Sequence, residues 1–382
     1  MKKTENLKIL YVGSPPLFSK GASAIHMMKM CQAMKGMGLN VELIFPDYDK
    51  SRDIFDYYGI KDKFKIKTIP YTDIPGRQGV HGFASSIYCF FKKGSYDIVV
   101  TRNIVFAYFA TKWFGIPTIY DAHHPLVNGA ARWMFNGFKN SDNLKRFTTN
   151  SKGLADIYLK EGLDEKKLVV AHNGVDLKSF ENSETQEQLR KELGLPGDKK
   201  IVCYCGNTYS GRGIELLISA AEKYKNLHFL VVGGLREDNE KYEKAINLKK
   251  INNFELTGFV SHSSVPKYLL ASDILVIPYS REITIKGGTN ASQFTSPIKL
   301  FEYMAAGKPI LSSALPTILE ILEDGKTAAL FEPENMDSFC DKLDNLLDNP
   351  EYMNTLSKNA SYKVEEYTWE ARVKKIIKIP FL

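Results

Sequence analysis

What the 382-residue chain lacks narrows its chemistry first. No stretch approaches the ~20 consecutive apolar residues of a membrane-spanning helix. The opening MKKTENLKILYVGSPP holds only a four-residue apolar run, Ile9 to Val12, shorter than the core of a secretory signal. A cytoplasmic protein is expected. Cysteine is scarce, five in all and none spaced as CxxC; Cys203 and Cys205 stand two apart in an apparent strand and face the same way. That spacing suits neither a redox pair nor a zinc site, so all five read as reduced, mostly packing residues. The first strand-to-helix turn carries GSPPLFSKGASAIH and no GxGxxG, which excludes a nicotinamide-type dinucleotide site. The loop Gly206 to Gly213 imitates a phosphate loop but has Arg212 in place of the lysine and Gly213 in place of the magnesium-binding hydroxyl, so it fails as an ATPase motif. Nothing resembles an Asp-x-Asp metal site in the second half, and no metal is expected.

Acidic charge is short in one half only. Met1 to Asp176 carries 25 Lys and Arg against 16 Asp and Glu, whereas the remainder carries 26 against 28. A basic half points to a phosphate-rich substrate, an anionic membrane surface or nucleic acid. No helix-turn-helix, zinc finger or RNA-binding sheet signature accompanies the charge, so nucleic acid is not expected. Two stretches, His81 to Lys93 and Gly129 to Arg146, mix aromatics with Lys and Arg. They read either as helices lying on a bilayer surface or as core stripes.

What is present is an alternation of short apolar strands and helical patterns in two series. The first runs Leu7 to Val12, a helix after Gly21, Val41 to Pro46, Phe64 to Ile69, Asp97 to Thr101, a helix Ile104 to Phe114, Pro117 to Tyr120, Phe147 to Ser151 and Leu168 to Ala171. After the turn HNGVD (His172 to Asp176) and a polar helical stretch Glu181 to Pro196, the second runs through strands Ile201 to Cys205, Phe229 to Val232, Phe254 to Thr257 and Ile274 to Ile277, with helices between. Such alternation implies parallel sheets, whose ligands bind outside the carboxyl ends of the strands. The length suits two domains. Arg102, Asp121 and His123 all fall at strand ends, where they either orient an acceptor hydroxyl or cap helices and pair with each other. The loop Lys20 to Ser23 can present backbone N–H groups to a phosphate, Gly21 permitting close approach, or be a plain flexible loop.

The most informative stretch is TSPIKLFEYMAAGKPI, Thr295 to Ile310. Ser296 reads as an N-cap, Pro297 as the first helical residue, and Gly307 followed by Pro309 as a stop. The polar run Gly287 to Ser292 precedes it, so its amino end is expected to open on a cavity and to hold an anion such as a diphosphate. Glu302, one and a half turns in, is placed to accept hydrogen bonds from sugar hydroxyls, or is simply solvated. Arg212, with its planar fork at a glycine-rich strand end, suits the same diphosphate.

Together ILYVGSPP with KGASAIH, HNGVDLKSF, YCGNTYSGRGIELLISA, LVVGG, ELTGFVSHSSVPKYLLASDILVIP and SPIKLFEYMAAGKPI resemble a retaining glycosyltransferase of family 4. The resemblance implies an α/β chain with the GT-B fold: two Rossmann-like parallel-sheet domains facing a central cleft. An acceptor-side domain would span 1–176, a nucleotide-sugar domain 177–365, and a last helix within 366–382 would cross back. It further implies a hexosyltransferase-type enzyme of polysaccharide or glycolipid synthesis, with a nucleotide-diphosphate sugar, UDP or GDP based, as co-substrate and no cofactor. The acceptor would be a glycan or lipid-linked, with peripheral contact at an anionic inner membrane face. By position, Gly21 matches the loop that meets the donor phosphates, Arg212 the usual lysine on the diphosphate, Asn207 its partner position, and Glu302 the ribose-binding glutamate. Gly258, Phe259 and Val260 match the strand end facing the base, and Ser296, Pro297, Ile298 and Lys299 the helix opening beside the phosphates. Phe294 stands where the family's first glutamate supports the transferred sugar. With Asn207 uncharged, Arg212 is left as the only cation of its pair. A nucleotide-sugar epimerase and a non-catalytic nucleotide-binding scaffold share this architecture.

Overall fold

Short runs of aliphatic and β-branched residues make the strands of this protein, and Gly or Asn turns the chain just past Val12, Thr101, Thr149, Cys205 and Val232, where five of them end. The structure, a computed structural model, describes residues 7–14, 18, 21–46, 52–69, 74–181, 183–283 and 290–377. They divide into two units, residues 1–174 with 369–382 and residues 175–368.

In the first unit β1 (Lys8–Val12), α1 (Ala22–Gly36), β2 (Asn40–Pro46), α2 (Ile54–Tyr57), β3 (Lys65–Ile69), α3 (Arg77–Phe91), β4 (Ile98–Thr101), α4 (Ile104–Lys112), β5 (Thr118–Ala122), α5 (Gly129–Phe138), β6 (Leu144–Thr149), α6 (Lys152–Lys160) and β7 (Leu168–Val170) follow one another. The seven strands are parallel in the order β3-β2-β1-β4-β5-β6-β7. Helices cover both faces, which is why β4 and β5 are buried along their whole length, Asp121 included. The stretch Gly129 to Arg146 is not one helix: α5 stops at Phe138, and Leu144 already belongs to β6.

The second unit contains α7 (Gln186–Leu193), β8 (Lys200–Cys205), α8 (Ile214–Lys223), β9 (Leu227–Val232), α9 (Arg236–Leu248), β10 (Phe254–Gly258), α10 (Val265–Ala271), β11 (Ile274–Ile277), α11 (Ile298–Ala305), β12 (Ile310–Ser313), α12 (Pro316–Leu319), β13 (Ala329–Phe331), α13 (Met336–Asp348) and α14 (Pro350–Lys363). Its six strands are parallel in the order β10-β9-β8-β11-β12-β13. β12, beside β11, and the edge strand β13 are four and three residues long and were not marked by the sequence pattern.

The last helix, α15 (Trp369–Ile377), belongs to the first unit. It packs on α1 and buries Trp369, Arg372, Val373, Ile376 and Ile377. All five cysteines are buried and unbridged. Among the described residues no helix is long and apolar enough to cross a membrane.

Candidate functional site

In the second unit β9 and β11 flank β8, so the winding reverses between β8 and β11, and the carboxyl ends of these strands are where such a sheet is expected to offer its ligand crevice. The loop after β8 lies against the chain leaving β11. Gly211 and Gly213 both have positive φ, and a Cβ on either would overlap a carbonyl oxygen, of Glu282 and Pro278 respectively. Only glycine lets the two segments close to this distance. The fit delivers Arg212, whose Cζ stands 4.7 Å from the centre of the Tyr279 ring.

A second cation meets it there. Lys299, from the first turn of α11, holds its Nζ 3.7 Å over the Tyr204 ring and 5.2 Å from that of Tyr279. Gly206 makes room for it, since a Cβ at that position would run into the Lys299 amine. The Tyr204 hydroxyl donates to the Asn207 carbonyl at 2.6 Å, and the Cys205 N–H donates to the Tyr303 hydroxyl at 2.7 Å, which ties α11 to β8. Burial lowers the Lys299 ammonium from its usual range. For Tyr279 burial acts in the opposite sense, but Lys299 and Arg212 outweigh it and leave the phenol lowered. Arg212 Nε is buried without a hydrogen-bond partner among the described residues. An unpaired guanidinium N–H in a polar crevice costs about 1–3 kcal/mol, which an anion would relieve.

The start of α11 differs from the sequence expectation. Pro297, with extended backbone, occupies the cap position with no side-chain hydrogen bond, and the helix begins at Ile298. Ser296 is buried one residue outside the helix and is not its N-cap. Gly307, with φ +63°, ends the segment as expected. Of the polar run Gly287 to Ser292, residues 287–289 lie outside the described residues.

Glu302 is 8% exposed, so it is not simply solvated, and its Oε1 lies 2.7 Å from His262 Nε2. One carboxylate oxygen is thus committed to the imidazole. His262 was not singled out from the sequence. The available signal was its place four residues beyond Gly258, in the turn after β10. Gly258 itself has φ +69°, Phe259 is exposed and Val260 is half-buried. Phe294 is 4% exposed, so no acidic group stands at that position.

The first unit has its own cluster at the β5 end. Asp121 Oδ1 accepts from Thr148 at 2.6 Å and from the Arg372 guanidinium at 2.8 Å, while Oδ2 is 3.1 Å from His123 Nε2 and 3.8 Å from His26 Nε2. Burial alone would raise the Asp121 carboxyl, but Arg372 and the His123 contact hold it well below the usual range. An ionised Asp121 requires a proton on His123 Nε2. His123 Nδ1 then accepts from the Asn150 amide at 3.3 Å. Asp121 and His123 therefore pair with each other. Arg102 is close enough to depress His123 further, and its Nη1 is buried without a partner among the described residues. Gly21 is the N-cap of α1, so the anticipated loop Lys20 to Ser23 is in part the helix's first turn; Lys20 lies outside the described residues.

His26, Asp121 and His123 also place one ligand atom each within 4.8 Å of one another. This donor set could hold a metal, but Arg372 already neutralises the carboxylate at 2.8 Å. A divalent cation would have to sit beside that guanidinium.

Two family models match the chain, Glycosyltransferase Family 4 over residues 23–179 and Glycosyl transferases group 1 over residues 185–363. This chain belongs to the family 4 type of glycosyltransferases. Among curated relatives, the alpha-D-kanosaminyltransferase of Streptomyces kanamyceticus is 26% identical over 191 residues, covering 48% of this chain and 46% of that one. The alpha-monoglucosyldiacylglycerol synthase of Acholeplasma laidlawii is 26% identical over 217 residues, covering 54% and 51%. The glycosyltransferase spans about half the length of the curated relatives it matches. The crystal structure of Anabaena Alr3699/HepE in complex with UDP and glucose superimposes with a TM-score of 0.76 at 15% identity, covering 97% of this chain and 98% of that one. At that identity it is the fold, GT-B, that is shared.

The histidines of this glycosyltransferase carry a pH prediction. Burial and then Arg102 depress His123 to about 3, and burial holds His26 well below its ordinary value. A histidine kept neutral in the folded state and free to protonate when unfolded contributes stability above ~6.5 that is lost as pH falls towards the folded value. Urea unfolding midpoints should therefore fall steadily below pH ~6.5. His123 alone accounts for about 3 kcal/mol by roughly pH 4.5. A flat midpoint across that window would show that the imidazoles are not held neutral.

Proposed function

We propose that this glycosyltransferase moves a sugar from a nucleotide diphosphate, UDP or GDP, to an acceptor hydroxyl with retention of anomeric configuration and without a metal. The observation that carries the proposal is the pair of cations, Arg212 and Lys299, sharing the Tyr279 ring at the reversal point of a parallel sheet. In such a transfer, charge builds on the departing diphosphate as its bond to C1 loosens. Preorganised donors aimed at that charge are the largest lever a site has. Arg212, the Lys299 ammonium and the N–H groups of Ile298 and Lys299 at the opening of α11 supply them. They provide the positive charge for which other enzymes use a divalent ion.

In this reading Glu302, steadied by His262, accepts from the ribose hydroxyls, Gly258 to Val260 face the base, and Asn207 adds only polar contact. Residues 177–365 form the donor domain. Residues 1–176 form the acceptor domain, with Arg102, Asp121 and His123 serving the acceptor. Retention follows if the acceptor attacks C1 from the face that the diphosphate leaves, with the departing phosphate itself taking the acceptor's proton, so that no carboxylate nucleophile is required. The name of the Acholeplasma relative and the basic first half favour a lipid-linked acceptor in surface glycan or glycolipid synthesis, reached by a cytoplasmic protein lying peripherally on the inner face of the membrane.

The test is a thermal-shift screen against UDP, GDP and ADP in EDTA, followed by NMR of the product's anomeric proton with the matching sugar. A nucleotide at a hundred times its Kd should stabilise by about 2.7 kcal/mol. An inverted product, turnover abolished by EDTA, or no stabilising nucleotide would each defeat the reading. A second reading draws on Phe294, a buried phenyl ring where the family holds the sugar with a glutamate. A scaffold that binds nucleotide but transfers nothing would show the thermal shift without turnover.

A further inference from the structure

Helix α3 is built inside out. Its inward positions carry small or polar residues, His81, Gly82, Ser85, Ser86 and Cys89. Its large apolar residues fall on the other side: Val80 is 49% exposed, Phe83 40%, Phe90 44% and Phe91 80%. Buried-face hydrophobicity is what normally holds a surface helix in place, so this outward stripe does not serve the unit's own core.

The stripe continues across neighbouring helices. Phe83 meets Phe109 of α4 with ring centres 4.6 Å apart, Phe90 meets Phe114 at 5.0 Å, and Tyr108 meets Trp133 of α5 at 5.0 Å. Trp113 and Trp133 are 64% and 63% exposed on the same three-helix face. Exposed aromatic rings gathered in this way on three helices that pack on one another mark a binding site. Its charge says for what. From Ile74 to Ser141 the chain carries seven Lys and Arg against two Asp. Asp121 is buried and Asp97 accepts from the Lys8 N–H. Arg132 is matched by Glu161 at 2.8 Å, but Lys92, Lys93 and Lys112 are exposed around the rings.

We propose that the α3–α4–α5 face is the docking surface for an anionic lipid bilayer, with the Phe and Trp rings entering the interface and Lys92, Lys93 and Lys112 meeting the head groups. Aromatic rings partition to the boundary between head groups and acyl chains, and each lysine near an anionic leaflet adds attraction. A second copy of the chain fits less well, because it would bring three lysines against three. This deepens the peripheral placement proposed above and rests on it for the choice of a membrane. Transfer to a water-soluble acceptor does not depend on it.

The full chain is sedimented with vesicles of phosphatidylcholine alone and with vesicles also containing phosphatidylglycerol. Binding is expected to the anionic vesicles only, at low salt, and to be released by high salt. Two of the three tryptophans, Trp113 and Trp133, lie on the face while Trp369 is buried, so the intrinsic fluorescence should shift to the blue on binding. The K92E/K112E double variant should lose at least about tenfold in partition. Phe91→Ser should also weaken binding with an unchanged Tm, since its ring is outside the core. Absence of binding to anionic vesicles, equal binding to both kinds, or a dimer in sedimentation velocity that Phe91→Ser dissolves would overturn the assignment. Vesicle binding by a protein that turns over no donor would sustain this surface while defeating sugar transfer. The converse result, turnover on a soluble acceptor with no vesicle binding, would defeat only the surface.

Discussion

Replacing Arg212 by alanine is expected to lower kcat/KM for sugar transfer by about 10²- to 10³-fold, the loss typical of removing one preorganised donor from a developing negative charge. The fold should survive. The guanidinium rests on the face of Tyr279, and the Tyr279 hydroxyl keeps Lys299 as a partner when it is removed. Arg212→Lys should recover part of the rate, because a point charge replaces a planar fork that reaches two phosphate oxygens. Lys299→Ala should have a smaller effect of the same kind. The double variant should fall short of the product of the two losses, since both cations act through one ring and one ligand. Steady-state kinetics on the four proteins, with thermal unfolding as the control, decide it. An Arg212→Ala enzyme with full activity would remove the basis for placing the diphosphate at this crevice.

Replacing Arg372 by leucine is expected to destabilise the protein by about 3–5 kcal/mol, the cost of leaving one member of a buried ion pair uncompensated. The pair is Arg372 Nη2 to Asp121 Oδ1, 2.8 Å apart, with side chains 1% and 0% exposed. For a unit of this size the loss corresponds to a fall of roughly 10 °C in Tm. Asp121→Asn combined with Arg372→Leu should be less damaging than the sum of the single changes, because the two groups are in contact. Without Arg372 the Asp121 carboxyl should rise, and His123 would lose the anion that fixes its Nε2 proton. Urea unfolding of the single and double variants tests this. Additive losses would mean that the two charges do not stabilise one another.

Much of the architecture is a local matter. Parallel strands buried on both faces must be short apolar runs, so β1, β8 and β11 were readable almost to the residue, and the glycines of the Gly206 to Gly213 loop marked a glycine-rich strand end. The tandem of two strand-and-helix series, the crevice residues Arg212 and Glu302, and the stop at Gly307 follow from spacing and residue type alone. The opening of α11 did not: Ser296 has the right side chain for a cap, but Pro297 holds the cap position and the helix starts after it. Likewise the Gly129 to Arg146 stretch, uniform in composition, divides into a helix and a strand because the sheet recruits Leu144.

What the chain's order of residues determined unaided was which groups are available and at which strand end each would emerge. Tertiary structure alone decided which of them meet. Lys299 reaches the ring beside Arg212 from 87 residues away in sequence, His262 takes one oxygen of Glu302, and Arg372 closes on Asp121 across a separation of 251. Such pairings leave no periodic trace, because a salt bridge or a cation on a ring constrains two side chains and not the pattern between them. The outward face of α3 makes the same point in reverse. Its apolar stripe has ordinary helical spacing, and only the packing of Gly82, Ser85 and Ser86 against the unit shows that the aromatic side looks away from the core.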